Sequence, residues 1–385
     1  MTMPENESCD VVIVGGGLAG GLAALALARR RPDLDVRLVE PGAIGGNHIW
    51  SFFDGDVALE DRWLVEPLTE YRWNGYDVAF PRYRREVAMA YNSIAGEALA
   101  RAVAAAMPAE RIVRKSAVRL EPASVVLEDG VVLAARHVID ARGMGDLASV
   151  DCGWQKFVGQ ALRIQGGHGL TRPIVMDATV EQLGGYRFVY CLPFDEERVF
   201  VEDTYYSEEA ELDVPAVRGR IAAYAEARGW RVEGVEREET GRLPVVMAGD
   251  FDVLWPKGDG VARIGVGAGR FHATTGYSIP HAVRSAAALP ALVDSDDMVA
   301  TLREQAARSW RDQRFYRMLA AMLFRASEPG RRYRIFERFY GLSPDLIARF
   351  YAGRSSVADR LRILSGKPPV PIGKAVAALM RFDWR

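Results

Sequence analysis

An uncharged stretch near the start of the chain, residues 11–28, reads VVIVGGGLAGGLAALALA. Its length is at the lower limit for crossing a bilayer, but five glycines fall in its first eleven residues and would make a poor single helix. The pattern therefore predicts a buried strand over residues 10–14, a glycine turn, and a helix over 18–30. A second apolar strand, DVRLVE, follows and ends at Glu40.

A different pattern occurs at residues 198–206, RVFVEDTYY, where β-branched and aromatic residues predict a strand. Two adjacent acids, Glu202 and Asp203, interrupt it. Because successive strand residues point to opposite faces, Glu202 shares a face with Phe200 and Thr204, and Asp203 points the other way. One face of such a strand is normally buried, so one carboxyl is expected to be out of water. A structural ion pair with an arginine on a neighbouring strand is the simplest explanation from spacing alone.

Arginines alternate with aromatic and aliphatic residues near the C-terminus. Residues 303–362 contain 14 arginines and six acids, in stretches such as RFYRMLAAMLFRA and LIARFYAGR. This mixture is typical of a solvated helical surface. It also suits a helix lying in the interface of an anionic membrane, and both interpretations stay open.

The composition bounds the class of protein. The chain has 385 residues, of which 49% are hydrophobic and 26% charged, with a net charge of −2. These values predict a soluble globular protein of two or three domains and give no reason to expect nucleic acid as a partner. Three cysteines and five histidines lack metal-ligand spacing, so we expect neither a disulfide framework nor a metal site. The acidic N-terminus does not resemble a signal peptide, and a reduced cytoplasmic setting fits best.

The glycine turn carries the strongest local motif. Gly15, Gly17 and Gly20 form G-x-G-x-x-G between a strand and a helix, and Glu40 lies twenty residues past the last glycine. In such a unit the first glycine permits the tight turn, the second lets the backbone approach a pyrophosphate, and the third lets the helix pack on the strand. The helix N-terminus binds phosphate, and the acid accepts hydrogen bonds from ribose. The motif predicts a dinucleotide site.

FAD fits this site better than a nicotinamide cofactor. A glycine-rich loop, PGAIGGNHIWSFF, follows the second strand where an NAD dehydrogenase would continue with β-α-β units, and Rossmann character resumes only at RHVIDARGMGD. This order is typical of hydroxylase-like FAD proteins. Near residue 262, ARIGVGAGRFHATTGYS predicts a second backbone segment facing the flavin, followed by a helix from Ser278. Candidate FAD contacts are Val14, Gly15, Gly17, Leu18, Ala19, Gly20, Glu40, Arg142, Gly265, Gly267 and Ala268.

Several longer stretches resemble one family. GGNHIWSFFDGDV, GYRFVYCLPF, RVFVEDTYY, RFHATTGYSIPHAV and LIARFYAGRSSVADRLRILSGKPPVP are similar, in the same order, to segments of the bacterial lycopene β-cyclases, over about residues 10–371. The resemblance implies a flavoprotein that forms β-ionone rings on lycopene and related acyclic carotenoids without net redox change. It implies FAD active in its reduced form, NAD(P)H as reductant, and peripheral attachment to the cytoplasmic face of a membrane lipid surface. It allows contacts with other carotenoid enzymes.

The resemblance also assigns roles to residues. Ring formation needs a proton at C2 of the terminal isoprene unit, and burial raises the pKa of a glutamic acid toward the range where it can supply one. Glu202 is then the proton donor. Asp203 has a secondary role, in which it bonds to backbone or to Thr204 and holds the strand. Candidate tunnel aromatics, for each of which core packing is the alternative, are Trp50, Phe52, Tyr186, Phe188, Tyr190, Phe200 and Tyr206.

The predicted fold is α/β. A doubly wound, Rossmann-like FAD-binding domain of the hydroxylase type is expected from residues 8–48, 130–155 and 255–295. A mixed-sheet substrate domain is expected from 49–129 and 156–254, and a helical, basic tail that associates with the membrane from 296–385, with no transmembrane helix. Two rival functions remain at this stage: an FAD- and NAD(P)H-dependent monooxygenase or isoprenoid double-bond reductase, and a non-catalytic carotenoid or flavin binder.

Overall fold

The computed structural model describes residues 8–145, 150–366, 370–380 and 382. Strands make two seven-stranded sheets and one small sheet. The strands are β1 (Ser8–Val14), β2 (Val36–Val39), β3 (Ile49–Phe53), β4 (Tyr71–Trp73), β5 (Tyr76–Phe80), β6 (Tyr83–Val87), β7 (Tyr91–Ala95), β8 (Ile112–Val113), β9 (Ala117–Glu121), β10 (Ser124–Leu127), β11 (Val132–Asp140), β12 (Val150–Gln165), β13 (Ile174–Asp177), β14 (Tyr186–Pro193), β15 (Arg198–Ser207), β16 (Arg231–Gly249) and β17 (Ala262–Arg263).

Helices cover the first sheet and make most of the C-terminal quarter. The helices are α1 (Leu18–Arg30), α2 (Gly96–Ala106), α3 (Val214–Ala227), α4 (Phe251–Leu254), α5 (Ile279–Leu292), α6 (Met298–Asp312), α7 (Arg314–Arg325), α8 (Tyr333–Phe339), α9 (Pro344–Tyr351), α10 (Val357–Leu364) and α11 (Ile372–Met380). The predicted helix over 18–30 and the helix expected from Ser278 are both confirmed.

The first sheet is the dinucleotide-binding half of the molecule. Its order is β8-β2-β1-β11-β10-β9, with β17 also paired to β11, and the pairs among β8, β2, β1, β11 and β17 are parallel. Strand β1 is central and buried, which is why its sequence is a continuous apolar run. The glycine turn follows β1 at the carboxyl edge of the sheet, where open α/β sheets bind their ligands.

The second sheet carries the acid-bearing strand. Its order is β16-β12-β15-β14-β13-β5-β6, and β12 pairs antiparallel with both β15 and β16. Alternation separates the two faces of β15. Phe200 and Tyr206 join an aromatic core on one face, and Val199, Val201 and Tyr205 pack with residues of α3 on the other.

The boundary between the halves differs from the predicted one. Strands β8, β9 and β10 pair within the first sheet and α2 packs on α1, so residues 96–127 lie with the dinucleotide half and not with the substrate half. Strand β12 already starts at Val150, inside the segment 130–155 assigned to the first sheet. Both differences have one cause: the sheet to which a strand belongs is set by pairing partners that lie elsewhere in the chain.

The C-terminal helices pack on the second sheet more closely than expected. The aromatic and aliphatic residues of α7 to α9, including Phe315, Tyr316, Phe336 and Phe350, are buried in the aromatic core. Arg317 and Arg332 are also buried, 4.4 and 4.7 Å above the rings of Trp310 and Phe324. Helices α7 to α9 therefore direct their apolar faces into the protein, and neither a solvated surface nor a membrane helix describes them.

Exposed apolar side chains occur further along the same region. Val357, Leu361 and Leu364 form one exposed stripe on α10, and Val376 and Met380 are exposed on α11. None of the helices in the described part of the chain has the length and hydrophobicity needed to cross a bilayer.

Candidate active site

One cavity of about 700 Å³ connects the glycine turn to the acid-bearing strand. Its wall includes Gly15 and Gly17 from the first sheet, Trp50 from the small sheet, and Tyr190 and Glu202 from the second sheet. A volume of this size is typical of sites for cofactors and drug-sized ligands. The cavity thus places a dinucleotide motif and a carboxyl group on one continuous wall.

The three motif glycines have different structural roles. Gly15 has φ +104°, and a Cβ there would lie 2.7 Å from the Ala141 carbonyl, so only glycine fits the turn. A Cβ at Gly20 would lie 1.8 Å from the Gly15 oxygen, so Gly20 lets α1 pack against the turn. At Gly17 a Cβ would meet no atom of the described residues within 4 Å. Gly17 therefore leaves open the space in front of the N-terminus of α1.

Glu40 and Arg142 lie on the wall beside this turn. The Glu40 carboxylate accepts hydrogen bonds from the amides of Gly16, at 2.7 Å, and Gly42, at 2.9 Å, and so joins the two loops that edge the cavity. Arg142 is paired with Asp140 at 2.8 Å, and this carboxylate raises the pKa of the guanidinium. Both side chains are positioned by partners within the protein.

The segment near residue 262, which was predicted to face the flavin, contributes fewer residues to the cavity wall than predicted. Gly265 has φ +68° and lines the cavity against Ala19. Gly267 instead faces the carbonyl of Gly143, where a Cβ would lie 2.4 Å away, and Ala268 is fully buried in the core. The segment forms a 3-10 turn over residues 265–268, and this turn directs Gly267 and Ala268 away from the cavity.

Glu202 faces the cavity, and protein encloses the rest of its side chain. Its Oε1 accepts a hydrogen bond from the Thr204 hydroxyl at 2.6 Å. Burial raises the pKa of Glu202 to about 7, against the smaller opposing effect of that hydrogen bond. The carboxyl can therefore hold a proton near neutral pH.

Asp203 points to the opposite face and makes the ion pair that spacing alone allowed for Glu202. Its carboxylate accepts from Arg187 on β14, with Nη2–Oδ2 at 2.6 Å and Nε–Oδ1 at 3.0 Å, and both side chains are buried. The expected bond to backbone or Thr204 is thus replaced by a bond to Arg187. Asp203 is outside the wall of the cavity, so it acts on the site through the strand.

The aromatic candidates divide into two groups. Trp50, Phe188 and Tyr190 line the cavity. Phe52 lies in the core of the first half, and Tyr186, Phe200 and Tyr206 lie in the aromatic core of the second. Strand alternation placed Phe200 on the same face of β15 as Glu202, but residues of α7 and α8 pack in the aromatic core on that face. Tyr186, for example, stacks on Phe336 of α8 with centroids 4.2 Å apart.

The wall also contains residues that the sequence prediction missed, among them the polar side chains of Glu239, His48 and Tyr277. Glu239 lies on β16, 2% exposed, and accepts from the Ile49 amide at 2.8 Å. Burial raises its pKa to about 8, and the charge of Glu202 acts in the same direction. Its segment, VEREET, has the composition of an exposed strand, and the available signal was the period-two series Glu239, Gly241, Leu243.

Tyr277 belongs to a group of three phenols, of which Tyr277 and Tyr190 line the wall and Tyr91 lies buried behind them. Its hydroxyl lies 3.1 Å from that of Tyr91, which is also hydrogen-bonded to Tyr190. Burial raises the pKa of all three hydroxyls well above the ordinary value of 10.0. They are neutral donors and aromatic surfaces at any physiological pH.

Comparison with known proteins fits this arrangement. The family model described as "Lycopene cyclase protein" matches residues 10–377. The chain belongs to the lycopene cyclase family. A lycopene beta-cyclase of Pseudescherichia vulneris is 45% identical over 98% of each chain, and one of Pantoea ananas is 42% identical over 96% of this chain and 98% of its own.

Solved structures place this lycopene cyclase family member in the fold of the hydroxylase-type flavoproteins. A geranylgeranyl bacteriochlorophyll reductase-like protein of Thermoplasma acidophilum aligns with a TM-score of 0.59 at 15% identity, over 97% of this chain and 99% of its own. A p-nitrophenol 4-monooxygenase of Pseudomonas putida aligns with a TM-score of 0.60 at 14% identity, over 91% and 99%. These likenesses concern the fold, and the predicted α/β class is confirmed.

FAD, the cofactor implied by this fold, fits the cavity of this lycopene cyclase family member. The decisive observation is the empty space beside Gly17, which a side chain would fill, at the N-terminus of α1. Backbone amides and the helix dipole at that point favour a pyrophosphate. The wall continues past Gly265 toward Tyr190 and Glu202, which leaves the far end for a substrate.

Proposed function

We propose that the chain cyclises the acyclic ends of lycopene to β-rings, giving γ-carotene and then β-carotene with no net redox change. One observation carries the proposal. A carboxyl group that can hold a proton, Glu202, faces the same cavity as a dinucleotide-binding turn. Two relatives that cover nearly the whole chain are named lycopene beta-cyclases, which supports this substrate.

The reaction begins with proton transfer from Glu202 to C2 of the terminal isoprene unit. The cation at C1 is attacked by the C5=C6 alkene, a C1–C6 bond forms, and loss of the C6 proton leaves the β-ring. An alkene is a very weak base, so the donor must be protonated and held in place. Burial keeps the proton on Glu202, and the hydrogen bond from Thr204 holds the carboxyl in position.

The cavity wall stabilises the cation and excludes water. Trp50, Phe188 and Tyr190 present aromatic rings to the cavity, and an aromatic face attracts a desolvated cation by about 2 kcal/mol. Tyr190 is opposite Glu202 in the β14–β15 register, so its ring lies next to the acid. Exclusion of water also protects the cation from capture as an alcohol.

FAD would be held by Gly15, Gly17, Leu18 and Ala19 at the start of α1, and by Glu40, Arg142 and Gly265 along the wall. In its reduced form it would supply a fixed negative charge beside the ring-forming carbons, and NAD(P)H would serve only to reduce it. The chain's own residues position the isoprene end, supply the proton and keep the cavity dry.

The substrate is insoluble in water, and we infer that the protein takes it from the cytoplasmic face of a membrane. The exposed stripe Val357, Leu361 and Leu364 on α10 lies next to Arg360 and Arg362. Apolar side chains flanked by arginines suit the interface of an anionic bilayer. The proposed contact involves α10 and not the whole basic tail of residues 296–385, because α7 to α9 are packed on the protein.

The direct test incubates the purified protein with FAD and with lycopene in anionic liposomes, under reducing and oxygen-free conditions. Extracted carotenoids are separated by chromatography. We expect γ-carotene at early times and β-carotene later. Unchanged lycopene in the presence of bound, reduced FAD would contradict the proposed function.

A further inference from the structure

The cavity contains a second buried carboxyl group. Glu239 on β16 and Glu202 on β15 are both paired with Gly159 of the strand between them, β12. Directly paired residues share a face, so both carboxyls rise from the same side of the sheet. Their Cα atoms are two strand spacings, about 10 Å, apart. Both residues line the wall.

Gly159 and Phe200 shape the floor between the two acids. A Cβ at Gly159 would lie 2.2 Å from Cζ of Phe200, so the Phe200 ring takes the place of the missing side chain. The two glutamates are therefore separated by the edge of an aromatic ring and by no other side chain of their strand-paired neighbours. A ring-forming isoprene end above this floor would have one carboxyl on each side.

The surroundings of Glu239 are not those of a structural ion pair. Its carboxyl accepts from the Ile49 amide, and the neighbouring Arg237 is paired with Glu97 at 2.6 Å. His48 Nδ1 is 3.9 Å away, and burial with the charge of Arg237 lowers the pKa of that imidazole. Two carboxyls in one dry cavity do not both ionise readily, because the first negative charge opposes the second. The pair therefore tends to keep one proton.

We propose that Glu239 is a second catalytic residue, which forms with Glu202 a pair that handles both protons of the cyclisation. This inference rests on the function proposed above. Of the two forms of the pair that carry one proton, the reactive one has the proton on Glu202 and leaves Glu239 as a carboxylate. Glu202 gives its proton to C2, the C5=C6 electron pair forms the C1–C6 bond, and Glu239 takes the proton from C6 as the C5=C6 bond returns.

The proton count closes within the pair. One proton is present at the start on Glu202 and one at the end on Glu239, and no oxidant or reductant is used. Return of the proton to Glu202 resets the pair. His48, whose side chain is 45% exposed, lies between Glu239 and solvent and offers a route for exchange. A carboxylate beside the cavity also stabilises the cation while it exists.

The test compares Glu239→Gln with wild type under the reducing conditions above. Glutamine can still accept from the Ile49 amide, so the fold and the FAD content should be unchanged. The rate of β-ring formation should fall by about 10²-fold or more, the effect of a positioned acid or base. The C5 cation should lose a proton from C4 or from the C5 methyl group instead, so isomeric rings with a displaced double bond should appear.

Two further variants separate proton handling from structure. Glu238 is the residue before Glu239 in β16, faces the opposite side of the strand and pairs with Arg218. The variant Glu238→Gln should therefore behave as wild type. Glu239→Asp keeps a carboxyl and should still give β-rings as the only ring type, even if the rate is lower. If Glu239 had only a structural role, its substitution would change the rate and the FAD binding but not the type of ring that forms.

Each outcome decides the inference. Unaltered rate and ring type in Glu239→Gln would overturn it, and so would the same isomeric rings from Glu239→Asp. If Glu239→Gln fails to bind FAD, the ring composition of Glu239→Asp decides. Failure of the wild type to cyclise lycopene would reject the proposed function itself, which distinguishes that result from failure of this inference alone.

Discussion

At the scale of single residues, neighbours in one strand have opposite tasks. Glu202 faces the cavity with a hydroxyl as its partner, and Asp203 faces the core with a guanidinium. The role of each carboxyl follows from its surroundings. Burial raises the pKa of Glu202 so that it can hold a proton, whereas Asp203 accepts hydrogen bonds from Arg187 and ties β15 to β14.

Substitution should separate these tasks. Glu202→Gln should keep fold and FAD but lower β-ring formation by about 10²–10⁴-fold, because the proton donor is lost. Asp203→Asn leaves the buried Arg187 unpaired and should cost roughly 3–5 kcal/mol of unfolding free energy, with little change in the rate per folded molecule. Chromatography of products and thermal unfolding check both. Near-normal cyclisation by Glu202→Gln would place the proton donor elsewhere.

The pH dependence follows from the same carboxyl. Since folding raises the pKa of Glu202 from 4.5 to about 7, the donor loses its proton, and the rate falls, as pH rises through about 7. The folded state also binds the proton more tightly than the unfolded state, so this group makes the protein less stable as pH rises from about 4.5 to about 7. The stability of Glu202→Gln relative to wild type should therefore increase between pH 5 and pH 8.

The motif glycines allow a second residue-scale prediction. Gly17→Val adds a side chain at a position where a Cβ has no atom of the described residues within 4 Å, so the apoprotein should unfold at the wild-type temperature. Its affinity for FAD should fall by more than about tenfold, or 1.4 kcal/mol. Gly20→Ala places a Cβ 1.8 Å from the Gly15 oxygen and should lower stability even without FAD. Flavin absorbance and unfolding temperature measure both. Equal flavin content in Gly17→Val would reject the site.

At the scale of elements, local patterns and long-range pairing differ in what they reveal. The strand, turn and helix over residues 8–30 were predictable because apolar runs and obligatory glycines are local signals. The face of β15 was predictable from alternation. The place of β8 to β10 and the approach of Glu239 to Glu202 depend on strand register across β12, to which residues far apart in the chain contribute. No local pattern contains that information.

The packing of the C-terminal helices could not be predicted from local sequence patterns either. Arginines interleaved with aromatic residues look alike whether the aromatic face meets lipid or protein. The structure gives α7 to α9 a protein partner and leaves α10 with an exposed apolar stripe. The membrane contact proposed above is therefore expected from α10 and not from α7 to α9.

Substitution on α10 tests that contact. Leu361 is 64% exposed, and Leu361→Glu should leave the fold intact. It should lower binding to anionic vesicles by about tenfold or more, since burial of a leucine side chain contributes about 1.5–3 kcal/mol. Val118→Glu on β9, at a site 63% exposed in the first sheet, is the matched control. Vesicle sedimentation at several salt concentrations measures binding, and equal binding by both variants would exclude α10.

At the scale of the whole molecule, a fold shared with flavin oxidoreductases contains the cavity for which we propose proton transfer. The first sheet supplies the dinucleotide turn, the small sheet supplies Trp50, and the second sheet supplies Glu202 and Tyr190 to one cavity. The far end of that cavity offers carboxyls, phenols and aromatic rings. In the proposed function these groups serve an isomerisation, for which the product has the same oxidation level as the substrate.

This view predicts that turnover consumes no electrons. With FAD reduced chemically beforehand, oxygen excluded and NAD(P)H omitted, one protein molecule should form many rings, because the proton given at C2 is recovered from C6. The flavin spectrum should stay that of the reduced form throughout, and the number of rings should exceed the number of flavins. One product per flavin, richer than lycopene by two hydrogens, would instead identify a double-bond reductase, and a requirement for oxygen would identify a monooxygenase. Glu202→Gln with the same reduced flavin is the control, since it retains the cofactor but lacks the acid that the cyclisation requires.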